Sequence, residues 1–261
     1  MNRRAVSPCR LTPPVQDASA WYGPALLARG NRLERLDAAE IEAASCALVE
    51  RRTDPAQLQP ADFPLTTLAP RLARLVHELL EGRGFVLLRG MPLWRWPRRL
   101  NAAAFLGLGC HLGNMRLQNA AGHLPGHARD VGLGASDPDL RIDQTRERQT
   151  FHTESCGLVG LPCLQTARAG GLSALTSTTS LAPGDMQFVH NHALLHDRTA
   201  FENWPEPKCR RHLLRLWLAA QAARRRRAAA PAVERAARRF AAFATGVLSP
   251  RWYPVQPSPP V

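Results

Sequence analysis

The most informative stretch of this sequence is RQTFHTESC, at residues 148–156. Its pattern is typical of a β-strand, and it contains His152 and Glu154 two residues apart. Because alternate residues of a strand project from the same face, an imidazole and a carboxylate at this spacing can bind one metal ion together. A surface histidine beside an exposed glutamate is the simpler alternative, since His-x-Glu often occurs by chance. A metal site therefore needs a third ligand from elsewhere in the chain.

Three histidines downstream are candidates for that third ligand. His190 and His192 lie on a predicted strand, and His196 follows it. Two histidines and one carboxylate leave coordination positions open, as in non-haem Fe(II) oxygenases. Beyond them, an arginine in the segment RRHLLR at 210–215 can hold a carboxylate through two hydrogen bonds and stays charged at any pH. An ordinary basic strand edge is the alternative for this segment.

Helices come first in the chain and strands follow. Apolar periodicity predicts helices over 34–51, 68–80 and 101–112, with Asp37 as N-cap and Glu40 as its capping-box partner. Short apolar runs predict strands over 85–88, 185–192, 199–201 and 212–218, with further strands between 151 and 175. This order predicts an α+β fold.

Composition excludes several classes of protein. The chain has 261 residues and is 45% hydrophobic, which excludes a wholly disordered protein. No apolar run reaches the ~20 residues of a membrane helix, so no membrane partner is expected. The first sixteen residues lack the apolar region of a secretory signal, and we expect a cytoplasmic protein. The six cysteines form no Cys-x-x-Cys pair, so we expect reduced thiols.

The net charge of +13 is concentrated at the C-terminal end. Twelve of the 34 basic residues and only two of the 21 acidic ones lie in 205–261, so this segment carries +10 and the rest +3. Arg224 to Arg227, with Trp252 and Tyr253, offer one alternative function, binding of nucleic acid or an acidic partner by the tail. Disordered low-complexity sequence is the simpler interpretation, and nucleic acid is not the expected partner.

Several blocks of the chain together resemble the TauD/TfdA-like (clavaminate synthase-like) Fe(II)/2-oxoglutarate oxygenases. The resemblance covers about residues 20–219, and the joint match is more specific than any one block. The blocks are 63–65, 82–90, 111–127, 137–138, 148–156, 160–164, 169–173, 184–188, 195–201 and 211–218.

The resemblance implies a double-stranded β-helix (jelly-roll) core with N-terminal helices. It also implies Fe(II), 2-oxoglutarate as cosubstrate, O2 and a small-molecule substrate of unknown identity. His152, Glu154 and His196 are similar to the metal ligands of the family. Arg211 is similar to the anchor of the 2-oxoglutarate C5 carboxylate, and Arg215 to a position that faces the substrate in some members. The histidines at 190 and 192 match non-ligand positions, with an expected packing role below the site.

Three features depart from the family. Glu154 stands where most members have Asp, and Gly157 replaces a second Asp, which removes a polar group beside the site. His196 follows His152 by only 44 positions, enough for about four strands at most, whereas relatives have a longer insert. We therefore predict an internal deletion near 177–183 and an incomplete barrel.

The predicted organisation is a mobile lead-in over 1–20, an oxygenase domain over 21–219 and an Arg/Ala/Pro-rich tail over 220–261. Two alternatives stay open for the domain, an active oxygenase and a catalytically inactive remnant of the family. The oligomeric state is open as well.

Overall fold

In a computed structural model, the chain is described over residues 33–119, 122–132, 141–174, 178–179 and 181–220. The predicted lead-in over 1–20 and the basic tail beyond residue 220, with Arg224 to Arg227, Trp252 and Tyr253, lie outside the described residues. The predicted domain boundaries stay predictions. Within the described part, no helix has the length and apolar character needed to cross a membrane.

Three α-helices form the N-terminal part of the described chain. They are α1 (Ala38–Arg51), α2 (Ala69–Glu81) and α3 (Arg98–Leu112). Short 3-10 helices lie at Pro55–Gln57, Pro60–Asp62, Ile142–Gln144 and Pro207–Cys209. The three predicted helices are confirmed, although α1 begins later than expected because Leu33–Arg35 forms a strand.

The two acidic residues at the start of α1 act on different helices. Asp37 caps α1, since its carboxylate accepts a hydrogen bond from the Ala39 N–H at 3.0 Å. The capping box predicted for Glu40 is wrong. Its carboxylate instead accepts hydrogen bonds from the backbone N–H groups of Thr67 and Leu68 at 2.9 and 3.1 Å. Glu40 therefore satisfies free amides at the start of α2 and joins the two helices.

The described residues contain thirteen strands, numbered in chain order. They are β1 (Leu33–Arg35), β2 (Phe85–Arg89), β3 (Asn114–Arg116), β4 (Pro125–Ala128), β5 (Gln149–His152), β6 (Leu158–Gln165), β7 (Ala169–Gly170), β8 (Ser173–Ala174), β9 (Thr178–Thr179), β10 (Met186–His190), β11 (His196–Arg198), β12 (Phe201–Glu202) and β13 (His212–Ala219). The main sheet has the order β1-β2-β10-β6-β13-β3, with β4 also paired to β13. Except for the parallel pair β1–β2, its pairings are antiparallel.

The two faces of the main sheet bury different clusters. On one face Leu88, Phe188 and Leu216 pack in the same core as the helices. The close approach of α3 to β13 depends on Gly109, where an added Cβ would lie 2.4 Å from the Leu216 side chain. On the other face Leu213 and its neighbours form a separate apolar cluster, which borders a cleft.

A smaller sheet, of order β5-β11-β8-β9, lies across this cleft, and β7 pairs with β12 beside it. Leu213 of the main sheet and His196 of the smaller sheet line the same cleft. The fold is the predicted double-stranded β-helix with N-terminal helices.

Two details of the strand prediction are wrong. Five strands, not four, fit between His152 and His196, because three of them are only two residues long. Of the strand expected over 199–201, only Phe201 is in a strand, β12, whereas Thr199 and Ala200 connect β11 to β12.

Candidate metal centre

The pairing of β5 with β11 brings three candidate ligands together. His152 ends β5, His196 begins β11, and the two residues are direct cross-strand partners with ring centroids 4.3 Å apart. Glu154 follows β5 by two residues. One donor atom from each of these side chains lies within 4.8 Å of the others. The deletion predicted near 177–183 has therefore not separated the three residues.

The hydrogen bonds of His152 define which ring nitrogen is available. Nδ1 lies 2.8 Å from the Thr150 carbonyl oxygen, and because a carbonyl only accepts, Nδ1 carries the proton. Nε2 is then an acceptor, and the side-chain amide of Gln149 donates to it at 2.8 Å. Nε2 also lies 4.0 Å from the Glu154 Oε1 atom. A histidine held by a backbone carbonyl through one nitrogen and presenting the other is typical of a metal ligand.

His196 is the more buried of the two histidines, with 6% of its surface exposed. Burial, followed by the positive charges that His152 and Arg215 can carry, lowers the pKa of His196 to about 4. Its imidazole is therefore neutral at pH 7 and keeps a lone pair. The buried Nδ1 atom of His196 has no hydrogen-bond partner among the described residues. Two imidazoles and a carboxylate are a donor set that fits Fe(II).

Arg215 connects Glu154 to a second carboxylate. Its Nη1 atom lies 3.1 Å from Glu154 Oε1 and 2.9 Å from Asp143 Oδ2, and its Nε–H donates to Gln118 Oε1 at 3.0 Å. Arg215 is only 4% exposed. The side chain predicted to face the substrate is therefore already engaged by two carboxylates and an amide.

Arg211 is a buried cation that lines the same cleft. Burial lowers the pKa of Arg211 to about 10, so it stays charged at neutral pH. Its guanidinium lies 5.0 Å from the centre of the Phe201 ring, and its buried Nη1 atom has no hydrogen-bond partner in the described part of the chain. A buried, unsatisfied guanidinium is costly in the absence of an anion, which makes it a candidate anion site.

Gly171 makes room for this guanidinium. Its φ of +65° is in the left-handed region, and an added Cβ would lie 3.0 Å from the Nε atom of Arg211. The Gly-Gly pair at 170–171 therefore allows Arg211 to lie against the loop as well as turning the chain.

The other predicted positions lie away from the ligands. His190 lies on the same face of β10 as Met186 and Phe188, and these two residues pack in the core shared with the helices. His190 and His192 contact each other, with ring centroids 5.8 Å apart, and neither lines the cleft. Gly157 packs against the end of β13, where an added Cβ would lie 3.3 Å from the Leu218 carbonyl oxygen. A side chain there would have to displace this backbone by a few tenths of an ångström.

Three residues of the site are not among the predicted functional positions. Gln149 bonds His152, Asp143 bonds Arg215, and Arg198 lies in the cleft wall. The position of Arg198, two residues after His196 on a strand, is the one clue that could have indicated it.

The cleft itself is small, about 50 Å³, and mixes charged with apolar groups. Its lining is Ala128, Asp143, Gln149, His152, Glu154, Leu161, Ser173, Leu181, His196, Asp197, Arg198, Arg211, Leu213 and Arg215.

The chain matches the model of a known protein family over most of the described residues. The family model described as "Taurine catabolism dioxygenase TauD, TfdA family" matches residues 51–182 and 178–217. The chain belongs to the TauD/TfdA family. The two matched segments overlap at 178–182, the region of the predicted deletion.

Two curated relatives support this membership of the TauD/TfdA family. The "Taurine hydroxylase-like protein SAT17" of Stachybotrys chartarum is 29% identical over 71% of this chain and 49% of its own length. The "FR-33289 synthase" of Streptomyces rubellomurinus is 30% identical over 60% of this chain and 44% of its own length. The chain thus spans about half the length of the curated relatives it matches.

Solved structures share the TauD/TfdA-family fold. Asparagine oxygenase matches with a TM-score of 0.54 at 16% identity, over 72% of this chain and 93% of that one. The non-haem iron oxygenase OrfP, in complex with Fe and alpha-ketoglutaric acid, matches with a TM-score of 0.54 at 14% identity, over 74% of this chain and 96% of that one.

Proposed function

We propose that this protein is an Fe(II)- and 2-oxoglutarate-dependent oxygenase that hydroxylates a small molecule. His152, Glu154 and His196 would hold the metal, and Arg211 would bind the C5 carboxylate of 2-oxoglutarate. One observation carries the proposal: a single cleft contains the three ligand atoms within 4.8 Å of one another and a buried guanidinium with an unsatisfied Nη1. SAT17 is described as taurine hydroxylase-like, asparagine oxygenase shares the fold, and OrfP has been crystallised with both Fe and alpha-ketoglutaric acid.

Bound Fe(II) and 2-oxoglutarate would supply the O2-dependent oxidation of a C–H bond, which amino-acid side chains do not perform. The protein orients these groups. The Thr150 carbonyl fixes the tautomer of His152, and burial keeps His196 neutral. Nε2 of His152 would exchange its hydrogen bond from Gln149 for the metal. Arg211 presents a charged donor group to a carboxylate, and the apolar side chains of Leu161 and Leu213 exclude water around it.

An anaerobic titration with Fe(II) and 2-oxoglutarate tests the proposal. We expect a metal-to-ligand charge-transfer band, which requires both the metal and the chelating 2-oxo acid in one site. The His196→Ala variant should lose the band at all metal concentrations. The Arg211→Met variant should need at least tenfold more 2-oxoglutarate. Absence of the band from the folded wild-type protein would contradict the proposal.

A catalytically inactive member of the family is the second candidate. It is supported by the short spacing between His152 and His196 and by the two family matches that meet at 178–182. An inactive protein that keeps its site would show the charge-transfer band but form no succinate when oxygen is admitted. The transcript across codons 176–184 gives an independent test, because a missing exon there would mean that the natural protein has a longer insert.

A further inference from the structure

Arg198 is a buried cation whose partners are backbone carbonyls. It is 7% exposed, and its guanidinium donates to the carbonyl oxygens of Thr145 at 2.8 Å, of Ile142 at 3.3 Å and of Glu147. The guanidinium also lies 4.8 Å from the centre of the Phe201 ring. No salt bridge joins Arg198 to a carboxylate in the described part of the chain. Its Nη atoms bond backbone carbonyls, whereas its buried Nε atom has no hydrogen-bond partner among the described residues.

The segment that Arg198 holds, residues 141–147, is irregular apart from one short 3-10 turn. Its carbonyl groups cannot all be satisfied by regular pairing, and buried carbonyls need donors. A planar guanidinium can donate to several acceptors at once, whereas a lysine ammonium is a compact charge on a flexible stem. Arg198 therefore fixes this segment against β11, the strand that begins with His196.

The segment carries Asp143 into the cleft. Asp143 is 8% exposed and lies 2.9 Å from Arg215, which in turn lies 3.1 Å from the candidate ligand Glu154. A guanidinium so close to a metal ligand would repel a divalent cation, and it would compete with that cation for the Glu154 carboxylate. Asp143 offsets that charge and shares the guanidinium, which leaves Glu154 available to a metal.

Two other contacts hold the C-terminal end of the segment and the residue after it. The Phe201 N–H donates to the Arg146 carbonyl oxygen at 3.0 Å, and Arg148 pairs with Asp197 at 2.9 Å. Around Asp143, the Val131 N–H donates to the Gln144 carbonyl oxygen at 3.0 Å and Arg141 lies 3.2 Å from Asp143 itself. Arg198 bonds the backbone on both sides of that aspartate, at Ile142 and Thr145.

We infer that Arg198 is a positioning residue for the metal centre: it holds segment 141–147 so that Asp143 offsets the charge of Arg215 and leaves Glu154 free to bind a divalent cation. The inference rests on the proposed function for its metal site. The part of the inference that concerns the position of segment 141–147 does not depend on a metal site, because it is argued from the hydrogen bonds of Arg198 alone.

The Arg198→Lys variant tests the inference because it keeps the charge and replaces the planar guanidinium, which reaches three carbonyls through two nitrogens, with a compact ammonium on one nitrogen. We expect faster amide hydrogen exchange across residues 142–147 and about tenfold weaker binding of Co(II), used as a spectroscopic probe. Arg168→Lys is the matched control, since Arg168 pairs with Glu202 on the exposed β7–β12 edge. The control should change neither quantity.

A double-mutant cycle separates positioning from a general loss of stability. If Arg198 acts through Asp143, Asp143→Asn alone should weaken Co(II) binding to a similar extent, and adding Arg198→Lys should weaken it little further. Additive losses, or wild-type exchange in Arg198→Lys, would overturn the inference. A folded wild-type protein that binds no Co(II) would contradict both the proposed function and the metal part of this inference, while the exchange of 142–147 would still decide whether Arg198 holds the segment.

Discussion

The Nη1 atom of Arg215 lies 3.1 Å from Oε1 of Glu154, the carboxylate that belongs to the candidate metal centre. The same atom lies 2.9 Å from Asp143. Both carboxyl side chains are about 10% exposed, so one buried cation separates two carboxylates. Asp143 also pairs with the partly exposed Arg141 at 3.2 Å, so two cations face two carboxylates, and a divalent cation bound to Glu154 would change that balance.

Removal of Arg215 should therefore affect the metal-free protein most. In Arg215→Met, Glu154 loses the guanidinium beside it and Asp143 keeps only the partly exposed Arg141 at 3.2 Å, and loss of one partner of a buried ion pair costs about 3 kcal/mol. We expect a lower free energy of unfolding in urea and, because the site is more negative, a larger stabilisation by Co(II) than in the wild type.

The control is Arg71→Met, which breaks a half-exposed pair with Glu34 and should cost less than about 1 kcal/mol. A Co(II) stabilisation of Arg215→Met no larger than that of the wild type would show that Arg215 does not oppose metal binding.

Arg211 should show the opposite relation between stability and function. Its buried guanidinium has an unsatisfied Nη1, so Arg211→Met removes a desolvation cost and should raise the free energy of unfolding by about 1 kcal/mol. The same variant should lose 2-oxoglutarate binding in an anaerobic titration while it keeps Co(II) affinity. A destabilised variant with unchanged 2-oxoglutarate affinity would mean that the guanidinium serves the fold alone.

Gly171 should control the position of that guanidinium. In Gly171→Ala the new methyl group lies 3.0 Å from Arg211 Nε, and the side chain must move. We expect about tenfold weaker 2-oxoglutarate binding with unchanged Co(II) affinity. Gly132→Ala is the matched control, since Gly132 also has a positive φ, of +83°, but nothing lies within 4 Å of an added Cβ. Equal losses in both variants would indicate backbone strain instead of displacement of Arg211.

The longer elements of the fold could be predicted because burial leaves a periodic pattern. Helix α2 buries Leu72, Leu75 and Leu79 on one stripe, and β10 and β13 are apolar runs. Strands such as Ala169–Gly170 and Thr178–Thr179 have only two residues, too few to show any alternation. Their pairing depends on the neighbouring strands, which the local sequence does not contain.

The site could be predicted in part, for a related reason. His152 and Glu154 stand out because their spacing places them on one face of a strand. His196 and Arg211 were identified by family resemblance, since their proximity to His152 arises only when β5 pairs with β11 and β13 enters the main sheet. The role of Arg198 has no sequence pattern because its partners are backbone carbonyls, which every residue type has.

A final prediction concerns acid stability and the pair His127–His212 on β4 and β13. Nδ1 of His127 lies 2.9 Å from Nε2 of His212. Burial, with the charges on His127, Arg129, Arg98 and Arg211, lowers the pKa of His212 from 6.5 to about 3. Between pH 6.5 and pH 3, His212 is protonated in the unfolded chain and neutral in the folded protein. The free energy of unfolding therefore falls as the pH drops from 6.5 toward 3.

Because of this difference in the pKa of His212, the free energy of unfolding should be about 2 kcal/mol lower at pH 5 than at neutral pH. The His212→Gln variant keeps a polar side chain that does not titrate, so its free energy of unfolding should fall about 2 kcal/mol less than that of the wild type between pH 7.5 and pH 5. Urea unfolding at the two pH values measures the difference. The variant His77→Gln, at an exposed position on α2, should retain the wild-type pH dependence. If His212→Gln also retains it, protonation of His212 does not cause the loss of stability in acid.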